Sequence, residues 1–167
     1  ADVNIQTKDG KTALMLTAAH GSEHSTGIIR LLVDAKADVN KQNEHGHTAL
    51  LLAAWIGGKH KHGAGMMRLL IDAGADVNKQ NKNGWTALMV SAQDGGKYSD
   101  KIIYVLVNAG ADITIKDINN KTAYDIAVEK KNKLAICILQ EYQANWIFTW
   151  TAKNPIQLKL WSEQNIQ

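Results

Sequence analysis

The chain has 167 residues, enough for one domain with a sizeable buried core. Hydrophobic residues make up 45% and charged residues 21% of it, which are ordinary values for a globular protein and exclude a wholly disordered chain. The net charge is only +3, and of the 19 basic residues just Arg30 and Arg68 are arginine. Nucleic-acid binders usually concentrate more cations and use arginine to read bases and phosphates, so the composition argues against a nucleic-acid partner.

Cysteine content and hydropathy narrow the class of protein further. A single cysteine, Cys137, cannot form an internal disulfide, which favours a reducing intracellular compartment, either the cytoplasm or the nucleus. It lies in an apolar run, Leu134 to Leu139, where we expect a buried and unreactive thiol. No apolar stretch approaches the ~18 residues that a membrane-spanning helix requires.

Two short motifs recur in phase along the chain. The string Ala-Asp-Val-Asn, or its variant Ala-Asp-Ile-Thr, occurs at residues 1–4, 37–40, 75–78 and 111–114. The string Thr-Ala-Leu, or Thr-Ala-Tyr, occurs at residues 12–14, 48–50, 86–88 and 122–124. Both motifs have successive spacings of 36, 38 and 36 residues. Such agreement predicts four structural repeats.

Within a unit, the elements follow a fixed order. A polar turn comes first, with a residue suited to a left-handed conformation at Gly10, Gly46, Gly84 and Asn120. The motif threonine is expected to cap a short alanine-containing helix. A second apolar helix follows, and Gly74 and Gly110 are expected to end it in the second and third units. In the first unit Lys36 replaces this glycine, at a cost of about 1 kcal/mol.

This combination of motifs resembles the ankyrin repeat over residues 1–140. The resemblance implies an all-α solenoid of stacked helix-turn-helix units with β-turn or hairpin fingers, followed by a short non-repeat C-terminal segment at residues 141–167. Alanine replaces the family's proline at Ala13, Ala49, Ala87 and Ala123. The family's histidine, which braces the turn, is replaced at Met15, Leu51, Met89 and Asp125, so we expect a less rigid turn.

Both ends of the repeat segment are unusual. The first unit starts at the tail of a repeat, so we expect it to be truncated and the chain to be part of a longer protein. The last unit carries charged residues where inner units carry glycine and apolar residues, and is expected to be a polar cap. These charged residues are Glu129, Lys130, Lys131 and Lys133.

The segments between the two helices of a unit are longer than the family's in the first three units, at residues 21–27, 57–65 and 95–100. At equivalent positions they are expected to line up along one edge of the stack. Enlarged loops on one face often mark a binding surface. The alternative is neutral drift, because surface loops tolerate added length at little entropic cost.

The C-terminal segment loses the repeat pattern from Tyr142 onward. Trp146, Phe148 and Trp150 alternate with other residues, as do Ile156, Leu158 and Leu160. This period of two predicts a short β-hairpin or extended segment with a turn at residues 152–155. A helix that starts at Pro155 is the alternative. The aromatic side chains either dock on the last unit as a cap or form an independent ligand site.

Catalytic and metal-binding signatures are weak. Gly21 and Ser22 should break the helix that would align His20 with His24, and the remaining histidines have no closed ligand set nearby. Those remaining histidines are His45, His47, His60 and His62. No nucleophile elbow, phosphate-binding loop or paired carboxylates appear. We therefore expect no metal, no cofactor and no enzymatic activity.

The resemblance to ankyrin repeats implies binding of another protein or peptide on a concave surface made by the turn tips and the first helix of each unit. The matching positions are Lys8, Lys11, His20, Glu44, His45, His47, Trp55, Ile56, Lys82, Asn83, Trp85, Gln93, Asp94, Ile118 and Asn119. Trp55 and Trp85 are candidate hot spots, since tryptophan is enriched among them. Alternatively, each ring rests on a neighbouring repeat.

The expected protein is a monomeric, non-catalytic scaffold. The two tryptophans, with Ile56 and Ile118, suggest an apolar surface flanked by lysines, which suits a partner with acidic and apolar character. These lysines are Lys8, Lys11, Lys82 and Lys121. The alternative function is a targeting or regulatory arm of a larger multidomain enzyme or pathogen effector.

Overall fold

A computed structural model describes the backbone of residues 2–153 and the side chains of residues 2–144. This part of the chain contains eight helices and no strand. The helices are α1 (Ala13–His20), α2 (Ser25–Asp34), α3 (Ala49–Gly57), α4 (Gly63–Asp72), α5 (Ala87–Gln93), α6 (Ser99–Asn108), α7 (Ala123–Glu129) and α8 (Lys133–Lys153).

The helices form two layers. The first helices of successive units, α1, α3, α5 and α7, pack side by side in one layer, and the second helices, α2, α4, α6 and α8, pack side by side in the other. The two helices of each unit also pack on one another. Each unit therefore contacts its neighbours in sequence, which confirms the predicted all-α repeat architecture.

The motif threonines begin the first helices. Thr12, Thr48 and Thr86 have extended backbones, and each Oγ1 accepts a hydrogen bond from the backbone N–H three residues later, at 3.2–3.3 Å. Thr122 does the same, and the Asp125 carboxylate accepts from Thr122 N at 2.9 Å, which completes a capping box. The predicted threonine caps are confirmed.

The left-handed positions are also as predicted. Gly74 and Gly110 end the second helices with φ values of 90° and 86°, and Lys36 takes the same place with φ 65°. Asn120 stands in for glycine at the last turn, with φ 63°. Because a side chain disfavours this region, Lys36 and Asn120 are local strain points, as is Lys131 with φ 56°.

The hydrophobic core lies between the two layers and between successive units. Small residues, Ala18, Ala54 and Ala92, are fully buried at equivalent places on the first helices, where they allow close approach. Larger side chains such as Leu50 and Met67 fill the space between the layers. Burying a side chain of this size contributes about 1.5–3 kcal/mol.

The C-terminal segment differs from the sequence-based prediction. The hairpin expected over Trp146–Trp150 is wrong, because α8 continues as one helix to Lys153. No glycine or proline interrupts residues 133–153, so the helix has no local reason to end. Tyr142 donates from its hydroxyl to Val107 O at 3.0 Å and so ties α8 to α6.

The proposed boundary after residue 140 is not marked by a break in secondary structure, since α8 runs through it. The predicted turn at residues 152–155 is wrong in its first half, where residues 152 and 153 are helical. Pro155, the competing helix that it would begin, and the alternating residues 156–160 lie outside the described residues.

Cys137 is exposed, so the expectation of a buried thiol is wrong. The reason is its place in the repeat. Cys137 occupies the position of Arg30, Arg68 and Tyr104 on the preceding second helices, and all three are exposed. Two residues of this apolar run, Leu134 and Cys137, are exposed, because one side of the helix faces away from the core.

Candidate functional site

The turn tips are built by a side chain at the start of each turn. In the second unit, Asn43 N donates to His47 O at 3.1 Å and Gly46 N donates to Asn43 O at 2.9 Å. The Asn43 side chain adds to this frame, because its Oδ1 accepts from His45 N at 3.0 Å and from His47 N at 2.9 Å. One buried amide therefore fixes the backbone of the whole tip.

Equivalent residues brace the other tips. Asn81 Oδ1 accepts from Asn83 N and Trp85 N, and Asp117 Oδ1 accepts from Asn119 N and Lys121 N, at 2.8–2.9 Å. We did not predict these residues from the sequence and expected less rigid turns. Their signal is an Asn or Asp placed three residues before the left-handed position of each of these turns.

A carboxylate side chain stabilises each of the first and last tips. Asp9 lies 2.7 Å from Lys11 Nζ, and the pKa of the Asp9 carboxyl is lowered to about 2 by hydrogen bonds from Lys11 and then Thr7. Burial raises the pKa of Asp117, but the backbone N–H groups of Lys121 and Asn119 outweigh it, and the net pKa is lowered. Both carboxyls therefore remain ionised at neutral pH.

The four tips are joined into one row. Glu44 N donates to Asp9 O at 3.2 Å, Lys82 N to His45 O at 3.1 Å, and Ile118 N to Asn83 O at 3.2 Å. Each hydrogen bond crosses from one unit to the previous one. The tips therefore have a fixed spacing and present their side chains as a single strip.

Glutamine and asparagine side chains reinforce this row beneath the tips. Gln42 Nε2 donates to Gly46 O at 2.7 Å and to Gln80 O at 3.0 Å, and Gln6 and Gln80 repeat this pattern in their own units. Asn40 Oδ1 accepts from Asp76 N at 2.8 Å. These residues recur at a fixed offset in the first three units, a signal present in the sequence that we did not use.

Most predicted tip residues do lie together. Those exposed along the row are Lys8, Glu44, His45, Lys82, Asn83, Ile118 and Asn119. Ile118 is 70% exposed, and it is the apolar side chain among these exposed tip residues. Lys11 is half-buried and held by Asp9.

Trp85 is mostly a structural residue. It is half-buried against the hydrophobic core, and its Nε1 donates to Asp117 Oδ2 at 3.2 Å. This position matches the alternative role predicted for the ring, which is contact with a neighbouring repeat. His47 is also half-buried, and burial, followed by the nearby His45, lowers the pKa of its imidazole.

Trp55 stands in a different environment. Its side chain is 48% exposed on α3 and lines a groove of about 210 Å³ between α3 and α5. Gln93 and Asp94, both predicted, line the same groove, together with Val90 and Lys59, which the sequence analysis did not single out. The groove is therefore lined by an aromatic ring, an aliphatic side chain, an amide and two side chains of opposite charge.

Two predicted residues lie apart from this groove. Ile56 is half-buried beneath Gly21, where an added Cβ would approach Ile56 Cγ2 to 2.2 Å, so its side chain serves packing between units. His20 is exposed at the end of α1. Neither contributes to the lining of the Trp55 groove.

The inter-helix loops form a separate edge of the stack. They span residues 21–24, 58–62 and 94–98, shorter than predicted because the residues that follow them are already helical. They line up as expected: Gly21 lies against His60, and Tyr98 N donates to Gly58 O at 2.9 Å. Whether this edge binds anything stays a prediction.

Two other kinds of site are absent from the described residues. No group of three or more His, Cys, Asp or Glu side chains there could hold a metal ion. No helix in that part of the chain has the length and hydropathy needed to cross a membrane.

Comparison with protein-family models gives one match, to the family described as ankyrin repeats (3 copies), over residues 1–63 and 59–147. No curated protein matches the chain.

Proposed function

Because the chain belongs to the ankyrin repeat family, whose members are generally protein-protein interaction modules, we propose that it is a non-catalytic scaffold that binds a partner protein or peptide. The proposed binding face, which we take to be the concave one, consists of the row of turn tips and the Trp55 groove. Both are rigid parts of the stack, so binding requires little reordering of the scaffold.

The exposed ring of Trp55 is the observation that carries the proposal. A tryptophan buries up to about 250 Å² when fully enclosed, so a ring left half exposed retains on the order of 100 Å² of contact surface. At about 25 cal/mol per Å², covering that surface contributes roughly 2–3 kcal/mol to binding. Trp55 is therefore the expected hot spot, whereas Trp85 already uses much of its ring within the scaffold.

The charges of the face suggest the chemistry of the partner. Lys8 and Lys82 are exposed on the tip row, with Ile118 further along it. An apolar or aromatic side chain of the partner would fill the Trp55 groove, and acidic side chains would lie along the tips. Such exposed charges mainly set the association rate and the register of the complex.

The test uses affinity capture followed by measurement of binding constants for each captured protein. The variants are Trp55→Ala and, as a matched control, Tyr104→Ala, which removes a ring of similar exposure from the opposite layer. We expect Trp55→Ala to weaken binding at least about tenfold, which corresponds to 1.4 kcal/mol, and Tyr104→Ala to leave it unchanged. Equal affinities for both variants and the unchanged chain would show that the face is assigned wrongly.

The same proposal places the protein as a monomer in a reducing intracellular compartment. The lone cysteine, Cys137, supports the compartment alone, because it is exposed and would be open to oxidation elsewhere.

A further inference from the structure

The second and third inter-helix loops bring together a cluster of exposed lysines. Lys59 and Lys61 lie between α3 and α4, and Lys97 and Lys101 lie at the start of α6. We call these four residues the loop lysine cluster. None of the four pairs with a carboxylate among the residues that the structure describes. Their positive charge is therefore available to a ligand.

The two loops that carry the cluster are fixed against one another. Tyr98 N of the third loop donates to Gly58 O of the second loop at 2.9 Å. A Cβ added at Gly96 would lie 2.5 Å from the same carbonyl oxygen, so glycine is needed for the loops to approach this closely. Lysines from two successive units therefore form one surface.

Contacts within each loop limit the movement of the lysines. The ammonium groups of Lys97 and Lys101 each lie 5.6 Å from the centroid of the Tyr98 ring, within the range of a cation–π contact. The second loop closes on itself, because a Cβ added at Gly63 would lie only 2.3 Å from Gly57 Cα. An ordered surface of this kind loses little conformational entropy when it binds a ligand.

The carboxylates at this edge are less exposed than the lysines. Asp94 and Asp100 are half-buried, and Asp94 Oδ2 and Asp100 Oδ1 are inaccessible to solvent. Glu23 of the first loop is exposed, but its Oε1 lies 3.4 Å from His24 Nε2, and that loop contains no lysine. A ligand that approaches the second and third loops therefore meets positive charge at the surface, while the negative charge is partly buried.

The cluster adjoins the Trp55 groove. Lys59 belongs to both, since its side chain lines the groove together with Trp55 and Asp94. A partner segment whose apolar side chain contacts Trp55 would therefore continue directly onto the loop lysines. The sequence left two interpretations of the enlarged loops open, a binding surface or neutral drift. A positive charge shared by two successive loops favours the binding surface.

The kind of side chain in the cluster indicates the kind of anion that it binds. Lysine acts as a point charge, whereas arginine recognises phosphate groups through two parallel hydrogen bonds. The two loops contain lysine but no arginine. Carboxylates spaced along a flexible segment suit such separate point charges, which favours an acidic protein segment over a nucleic acid.

We propose that the loop lysine cluster binds an acidic segment of the partner protein, and that this segment adjoins the side chain held in the Trp55 groove. The proposal rests on the proposed function, because it concerns the same partner. Exposed charges of this kind increase the association rate and make the affinity depend on salt.

The test titrates the 15N-labelled protein with a peptide of ten glutamate residues and follows the amide signals by NMR. The salt concentration is about 20 mM, where exposed charges are weakly screened. We expect the largest shifts at residues 58–62 and 96–101, and loss of binding at roughly 500 mM salt. Glutamate has no ring, so Trp55→Ala should bind this peptide as the unchanged chain does.

Two double variants measure the contribution of the cluster. Lys97→Gln combined with Lys101→Gln should raise the Kd for the peptide at least about fivefold, since it removes two of the four charges. Arg30→Gln combined with Arg68→Gln is the matched control, because it removes the same charge from exposed positions on α2 and α4. The control should raise the Kd less than about twofold.

Three results would overturn the proposal. One is an equal Kd for the two double variants, which would mean that the peptide responds to net charge alone. Another is a set of shifts that is largest around Lys8 and Lys82 on the tip row. The third is a ten-residue oligothymidylate that binds the same loops more tightly than the peptide, because the occupant would then be a nucleic acid.

The failure of the proposed function is distinguishable from these results. If Trp55→Ala leaves the binding of captured partners unchanged while the glutamate peptide still binds the loops, the binding face around Trp55 is assigned wrongly and the acidic specificity of the loop lysine cluster is not.

Discussion

Trp85 Nε1 donates a hydrogen bond to Asp117 Oδ2 at 3.2 Å, although the two residues belong to the turns of successive units. The other oxygen of the same carboxylate accepts from Asn119 N and Lys121 N at 2.8 and 2.9 Å. Asp117 therefore braces its own turn with one oxygen and ties that turn to the third unit with the other. The rigidity of the proposed binding face depends on such shared groups.

Trp85→Phe tests the tie between these two turns. Phenylalanine keeps most of the ring packing and removes the indole donor, so we expect a loss of about 1–2 kcal/mol in the free energy of unfolding. Trp55→Phe is the control and should leave stability within about 0.5 kcal/mol, since Trp55 makes no such bond in the described structure. Urea denaturation measures both, and equal losses would contradict the assigned role of Trp85.

Asp117→Ala tests the brace within the last turn. It removes an ionised acceptor of several hydrogen bonds, and we expect a loss of about 1.5–3 kcal/mol. Asp117→Asn should cost less, about 1–2 kcal/mol, because an amide oxygen can still brace the turn, as in Asn43 and Asn81, whereas the amide nitrogen cannot accept from Trp85 Nε1. A loss for Asp117→Asn equal to that for Asp117→Ala in urea denaturation would mean that the side-chain oxygen does not brace this turn.

Lys36→Gly should stabilise the protein by roughly 0.5–1 kcal/mol. Lys36 has φ 65°, a conformation that glycine adopts without steric cost. Gly74→Ala at the equivalent place is the reverse change; an added Cβ there would meet open space, so its expected loss of about 1 kcal/mol reports backbone strain alone. Thermal or urea unfolding that shows no gain for Lys36→Gly would contradict the strain assigned to this helix end.

His47 should make stability depend on pH. Burial, and then the neighbouring His45, lowers the pKa of His47 below its usual 6.5 in the folded state. The unfolded chain therefore takes up the proton first, so this contribution is fully present above pH 6.5 and is lost as the pH falls through the folded pKa. Urea midpoints measured between pH 7.5 and roughly 5 should fall less for His47→Gln than for the unchanged chain. Trp55→Phe removes no titratable group and should show the same fall as the unchanged chain.

Much of the stack could be predicted from the sequence because the same helix-capping and turn signals recur in each of the four units. The regular spacing of the motif threonines predicted where the first helices begin. These threonines are Thr12, Thr48, Thr86 and Thr122. The residues suited to a left-handed backbone conformation predicted the turns and the helix ends. A single unit with the same residues would have given a far weaker signal, since short helices depend on packing with their neighbours.

The remaining features depend on contacts between distant parts of the chain. Cys137 is exposed because of its place on α8. Residues 146–150 are helical because α8 continues through them without interruption. The alternating apolar pattern of the sequence reveals neither feature. The tie between Trp85 and Asp117 spans 32 residues. Distinguishing Trp55 from Trp85 as a binding residue therefore required the structure.

Hydrogen exchange of the protein with and without a captured partner tests the central claim most directly. We predict slower exchange at the tip amides, including those of Glu44, Lys82 and Ile118, and around the Trp55 groove at the ends of α3 and α5, with the second-helix layer unchanged. Protection confined to α2, α4 and α6, or to the inter-helix loops, would contradict the account.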